Sequence, residues 1–239
     1  MKDARKEASA MLLGLALVPC ITLALGLSAQ GCGPSSTIEE GDAGSDTGSN
    51  PSTPVVETLH PDAEPLPGEA ECTVVTTTGI PVSSAIHVPL CTKVKYATNP
   101  PSGGDHWEKW VSFKEYAAPV PREMYVHSME HGAVILSYRC DDGCPEIVDA
   151  LREVRDGLTI DPKCVQYAGT PTRIVITPDP ELDTPIAASA WGATYTATCI
   201  DKASLASFIA KTYAKTYEDI CFPGVDVSVP GAGPMCDRG

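Results

Sequence analysis

The stretch YVHSMEHGAVILSY, Tyr125–Tyr138, joins two of the chain's five histidines to a glutamate, a glycine and an apolar run. Its reading decides how the chain folds. Pro121 suits the first turn of a helix, and Gly132 suits a left-handed C-terminal cap, so a short helix is expected over Pro121–His131. The apolar run Ala133–Tyr138 then reads as a strand. On that helix His127 and His131 are spaced i, i+4, which sets both imidazoles on one face. Glu130 lies roughly 100° around the helix from His131. On that spacing it is better placed as an acceptor for an imidazole N–H, or as a base beside a bound ion, than as a ligand on the same face. It is the candidate catalytic residue.

Working outward, the β-branched runs between Cys72 and Cys91 read as two paired strands broken by Gly79 and Pro81. The turn-rich NPPSGGDHW that follows has glycines that let the backbone approach another segment closely. After the quoted stretch, Ile147, Leu151, Val154 and Leu158 recur on one face of a helix over Pro145–Leu158. Arg173–Thr177 (RIVIT) has the composition of a buried strand. Ile186–Thr198 reads as one further strand with a bulge at Trp191-Gly192. Asp201 can cap a last helix whose apolar face is Leu205, Phe208, Ile209 and Tyr213. The pattern is that of a single α+β domain over residues 69–239, a mostly antiparallel sheet with helices on one face, stabilised by disulfides.

Four of the histidines fall in this domain: His87, His106, His127 and His131. Neutral imidazole is a good ligand for first-row metals, and an imidazole-rich site suits Zn or Cu. Convergence of His106, His127 and His131 on one site is expected, with His87 as a fourth member. Met124 and Met129 are thioether candidates, although Met129 points away from the histidine face. The plainer reading is that His131 bonds the last helix carbonyls and His106 orders its own loop. His127-Ser128-Met129-Glu130-His131 also matches H-x-x-E-H, which resembles the inverted zinc peptidases. Those enzymes set the motif on a long helix, whereas Gly132 ends this one at once.

The N-terminus gives an address. A basic start (Lys2, Arg5, Lys6) precedes an apolar run from Ala8 to Ala29, the order of a secretory signal over residues 1–31. Small residues before Cys32 resemble the bacterial lipobox, which makes Cys32 the expected acylation site. Gly33 after it favours the outer membrane. Residues 32–68, acidic and rich in Ser, Gly and Pro, read as a disordered tether that cannot bury enough surface to order itself. The first 31 residues carry a net +1 and the remainder −15 of a total of −14. No basic face is available to neutralise phosphates, so nucleic acid is not an expected partner, and the membrane is reached through the lipid. No phosphate-binding glycine loop or nucleophile elbow occurs, so no organic cofactor is expected.

Ten cysteines, less Cys20 and Cys32, leave eight: Cys72, Cys91, Cys140, Cys144, Cys164, Cys199, Cys221 and Cys236. In an oxidising compartment these read as up to four disulfides. Cys72 with Cys91 and Cys221 with Cys236 are the expected local pairs. Cys140 and Cys144 are too far apart for a CxxC redox motif.

PPSGGDHW (Pro100–Trp107), Val120-Pro121, VHSMEHGAVILSY (Val126–Tyr138) and AWG (Ala190–Gly192) together resemble the bacterial family called domain of unknown function 3105. The resemblance covers about Ala85 to Tyr217. His106, His127, Glu130, His131 and Gly132 match the family's motif residues, and His87 matches a histidine ahead of them. PPSGGDH is one residue shorter before its SG than the family's usual PPxSGxH. The resemblance implies no activity. Three functional classes remain open: a metal-binding envelope module, a zinc hydrolase using Glu130, and a non-catalytic module whose histidines only order loops.

Overall fold

The computed structural model describes residues 53–140 and 143–234 together with Cys236. The expected signal segment and Cys32 lie outside the described residues. No helix among the described residues is long and apolar enough to cross a membrane.

The chain runs β1 (Val55–Leu59), β2 (Val74–Thr78), β3 (His87–Val88), β4 (His106–Trp107), α1 (Arg122–Glu130), β5 (Val134–Tyr138), α2 (Pro145–Asp156), α3 (Pro162–Tyr167), β6 (Ile174–Pro178), β7 (Ile186–Ala190), β8 (Ala193–Ala197) and α4 (Lys202–Thr212). Six strands form one sheet in the order β1-β2-β8-β7-β5-β6. Every pairing in it is antiparallel except β5 with β6. A parallel pair needs a long crossover, and α2 and α3 supply it. The fold is thus the expected α+β class.

Successive strand residues face opposite sides, so the sheet has two cores. Val134, Leu136, Ile174 and Ile176 meet α2 through Ile147, Leu151 and Val154, and α4 through Leu205, Phe208 and Ile209. The alternate residues Ile135 and Val175 meet Met124, Tyr125, Val126 and Met129 of α1, with Trp107, Val111 and Phe113. The two long amphipathic helices therefore share a face as expected, while the short α1 lies across the other. Met124 and Met129 are core residues with no exposure, which removes them as thioether ligands.

Several local expectations are corrected. Val55–Leu59, assigned to the tether, is the edge strand of the sheet, in register with β2 from Val55↔Thr78 to Leu59↔Val74. Its five residues are all exposed, so no burial pattern marked it in a polar, Pro-rich setting. The two runs between Cys72 and Cys91 do not pair with each other. β2 pairs with β1 and β8, whereas β3 pairs in parallel with β4. Ile186–Thr198 is two strands joined at Trp191-Gly192, with Gly192 at φ +71°, where a left-handed residue closes a tight turn. The short α3, capped by the Asp161 carboxylate on Lys163 N and Cys164 N, was not anticipated.

The disulfides are Cys72–Cys199, Cys91–Cys236, Cys140–Cys144 and Cys164–Cys221. All eight expected cysteines are paired, but Cys72 does not bond Cys91, nor Cys221 Cys236. The reason is strand register. Val74 faces Ala197 across the β2/β8 ladder, and continuing that antiparallel register outward brings Cys72 opposite Cys199. The tail is held by two separate bridges instead of one local loop.

Candidate metal centre

The centre forms where β3, β4 and the C-terminal turn of α1 meet. Asp105 builds the first half. Its Oδ1 accepts from Ser84 Oγ at 2.5 Å and from Ile86 N at 3.0 Å, and His106 N donates to Ile86 O at 3.1 Å. These bonds lay β3 alongside β4 and set His87 opposite His106. The glycines before Asp105 suit a backbone that other residues rarely adopt. Gly103 and Gly104 have φ of +138° and +130°, and a Cβ on Gly103 would come within 2.7 Å of Val82 Cγ2.

Helix α1 supplies the second half. His127 and Glu130 are spaced i, i+3 and share a face. The expectation that Glu130 stands off the ligand face considered only His131 and is corrected by this second relation. Glu130 Oε2 lies 3.0 Å from His106 Nε2, 3.8 Å from His87 Nε2 and 3.9 Å from His127 Nε2. The ring centroids of His87, His106 and His127 are 4.7–5.0 Å apart. Candidate ligand atoms of these four residues all lie within 4.8 Å of one another, so the group can hold a metal ion.

The tautomers are set by backbone carbonyls. His106 Nδ1 lies 2.8 Å from Gly104 O, and His127 Nδ1 lies 2.6 Å from Trp107 O. A carbonyl only accepts, so each Nδ1 carries the proton and each Nε2 presents its lone pair toward Glu130. Among the described residues His106 Nε2 is buried with no aligned hydrogen-bond partner, despite its nearness to the carboxylate. Such an orphaned acceptor in a polar cluster is costly unless something binds it.

Protonation states match that geometry. Burial drives the His127 pKa down to about 3, against the opposing pull of the Trp107 carbonyl, and the neighbouring imidazoles lower it further. Burial works against ionisation of Glu130. It is outweighed by the close His106 ring and the hydrogen bond from Tyr217, which bring the carboxyl to about 2. The site therefore offers a neutral imidazole and an ionised carboxylate at neutral pH, the forms that bind metal.

His131 takes a different position from the one expected. Its ring centroid is 4.7 Å from that of His127, but its Nε2 faces Glu218 Oε2 at 3.3 Å. Glu130, His131 and Glu218 form a second group with ligand atoms within 4.8 Å of one another. His87, expected as a fourth member, belongs to the first group and forms its open side, with its side chain 55% exposed.

Tyr217, Glu218, Trp110 and Arg173 were not singled out from sequence. The Tyr217 hydroxyl donates to Glu130 Oε1. Trp110 packs against the rings of His127 and His131, at 5.2 and 4.6 Å between centroids. Arg173 is almost fully buried. It donates to His131 O at 3.0 Å and pairs with Asp161 at 3.0 Å and Asp219 at 2.5 Å, tying the segment after α4 to the end of α1. No local motif marks these residues, because their partners lie far away in the chain: Tyr217 is 87 residues from Glu130.

The family described as "Protein of unknown function (DUF3105)" matches residues 87–221. The chain belongs to this family. The matched span opens on His87 and closes on Cys221, so both histidine–carboxylate groups lie inside it. No curated protein and no solved structure matched the chain.

Proposed function

We propose that this member of the family is a metal-binding module of the cell envelope, exported and held to the membrane through a lipid on Cys32. It binds a first-row transition ion, Zn or Cu, through His87, His106, His127 and Glu130. The observation that carries the reading is the pair of Nδ1 contacts to the Gly104 and Trp107 carbonyls, which aim two Nε2 lone pairs at one carboxylate. Ligand bonds of about 2.0–2.1 Å place tetrahedral donors roughly 3.3 Å apart. The 3.0–3.9 Å separations around Glu130 Oε2 need only small side-chain adjustments to reach that. Glu130 is held by Tyr217 and crowded by three imidazoles, which favours a ligand over a mobile base and sets the binding module above the hydrolase.

Elemental analysis of the full chain, purified in detergent without a histidine tag and exposed to micromolar Zn²⁺ or Cu²⁺, tests this. At least one ion per chain is expected in the wild type, with His106→Ala/His127→Ala losing it. A wild-type chain free of metal after that exposure refutes the reading. Trp110 beside the site distinguishes the ions, since Cu²⁺ quenches indole emission and Zn²⁺ does not.

A further inference from the structure

We infer that the centre is dinuclear. A second divalent ion binds beside the first, between Glu130, His131 and Glu218, with the Glu130 carboxylate shared by both. This rests on the metal-binding reading above and extends it.

The geometry carries the inference in three steps. The two ligand groups have Glu130 in common, and each is compact enough for one ion. They are also contiguous: His127 and His131 are one helical turn apart, with ring centroids at 4.7 Å, and Trp110 walls both rings on one side. A carboxylate between two such groups has two oxygens to divide between two ions. Oε2 faces the three imidazoles of the first group, and Oε1 is oriented by Tyr217.

The second group is also built, and is not a chance meeting of surface acids. The His131 side chain is only 6% exposed, and among the described residues its Nδ1 has no hydrogen-bond partner. Its Nε2 faces the Glu218 carboxylate. Glu218 sits on a segment fixed from both sides. Ala214 N donates to Gly132 O at 3.0 Å, Thr216 Oγ1 donates to Glu130 O at 2.8 Å, and Asp219 pairs with the buried Arg173. The same short segment therefore delivers Tyr217 to Glu130 and Glu218 to His131. The side chain of Glu218 is 41% exposed, so this half of the centre opens to solvent.

The donor sets differ. The first position has three imidazoles and one carboxylate, whereas the second has one imidazole and two carboxylates. Harder oxygen donors suit Zn²⁺, Co²⁺, Mn²⁺ or Fe²⁺ at the second position.

The test uses the full chain in detergent, untagged, stripped with chelator and reloaded with Co²⁺. Wild type is expected to hold two ions per chain, and His131→Ala and Glu218→Ala one each. Glu218 is partly exposed, so its variant reports on the site even if His131→Ala fails to fold. Ions sharing Glu130 are magnetically coupled, so the Co²⁺ EPR signal per ion should fall as loading passes from one to two equivalents. One ion in the wild type, unchanged in both variants, overturns the second site and leaves the first standing. Two ions in wild type and in both variants place the second ion elsewhere and also overturn it. An undiminished EPR signal at two equivalents removes the shared carboxylate. No bound ion at all defeats both readings.

Discussion

His127 Nδ1 lies 2.6 Å from the carbonyl oxygen of Trp107, so helix α1 and strand β4 are joined through the same ring whose other nitrogen faces Glu130. One hydrogen bond thus ties the fold to the state of the site. Burial holds the ring neutral against the pull of that carbonyl, and a second ring proton would also meet the neighbouring imidazoles.

That arrangement makes stability depend on pH. The His127 pKa falls from 6.5 to about 3 in the fold, chiefly through burial. The unfolded chain takes up the proton first, so acid favours unfolding. The metal-free protein should lose stability progressively as pH falls below about 6.5, with the loss from this group complete near 3. Glu130, moved from 4.5 to about 2, adds a loss of the same sign at lower pH. Thermal unfolding of chelator-treated protein from pH 8 to 4 should show Tm decreasing below about pH 6.5. His127→Phe or His127→Gln should flatten the upper part of the curve. An unchanged slope in both would show that other groups govern it.

Tyr217→Phe removes the hydroxyl that donates to Glu130 while keeping the ring against Trp191. Loss of an outer partner typically weakens metal binding by ~10–100-fold. A competition titration with a chromophoric chelator should find a shift of that order with little change in Tm. An unaltered affinity would mean that Tyr217 does not orient the carboxylate.

Gly132 has φ +87°, and a Cβ there would stand 2.8 Å from Arg173 Nη1 and 2.9 Å from Ala214 Cα. Gly132→Ala combines a disfavoured backbone state with a clash against backbone, and strain of this kind costs about 1–3 kcal/mol. Denaturant unfolding should show that loss or more. Gly143→Ala, at φ +76° with open space around it, gives the backbone cost alone and should be milder.

The bridge pattern is open to mass spectrometry. Non-reducing peptide mapping should recover Cys72–Cys199, Cys91–Cys236, Cys140–Cys144 and Cys164–Cys221. Cys72→Ser/Cys199→Ser opens a link between residues 127 apart. Losing such a bridge costs about 2–5 kcal/mol in small secreted domains. A Cys72–Cys91 peptide would contradict the β2/β8 register.

The proposed anchor on Cys32 can be tested in cells. Globomycin, which blocks lipoprotein signal cleavage, should leave a heavier precursor, and Cys32→Ser should lose labelled palmitate. A wild-type chain that never takes up the label counts against lipidation.

The sequence alone determined those features that depend on near neighbours. Pro121 and Gly132 bounded α1 within a residue or so because caps act over one helical turn. The faces of α2 and α4 followed from their apolar spacing, and Asp201 was recognisable as a cap. The four domain histidines were candidates by residue type, and the motif strings pointed to the family. Tertiary structure decided whatever depended on distant pairing. VVETL at 55–59 becomes a strand only because β2 is there to bond it, since all of its side chains are exposed. Cys72 meets Cys199 because a ladder sets them opposite, and short loops gave no clue to that. Glu130 was placed beside the ion rather than among its ligands by its angle from His131, yet it faces three imidazoles, because His87 and His106 arrive from another part of the chain. Tyr217 and Glu218 have no signature at all. They reach the site through a buried arginine that ties one end of the fold to the other, and local sequence does not encode a contact across that distance.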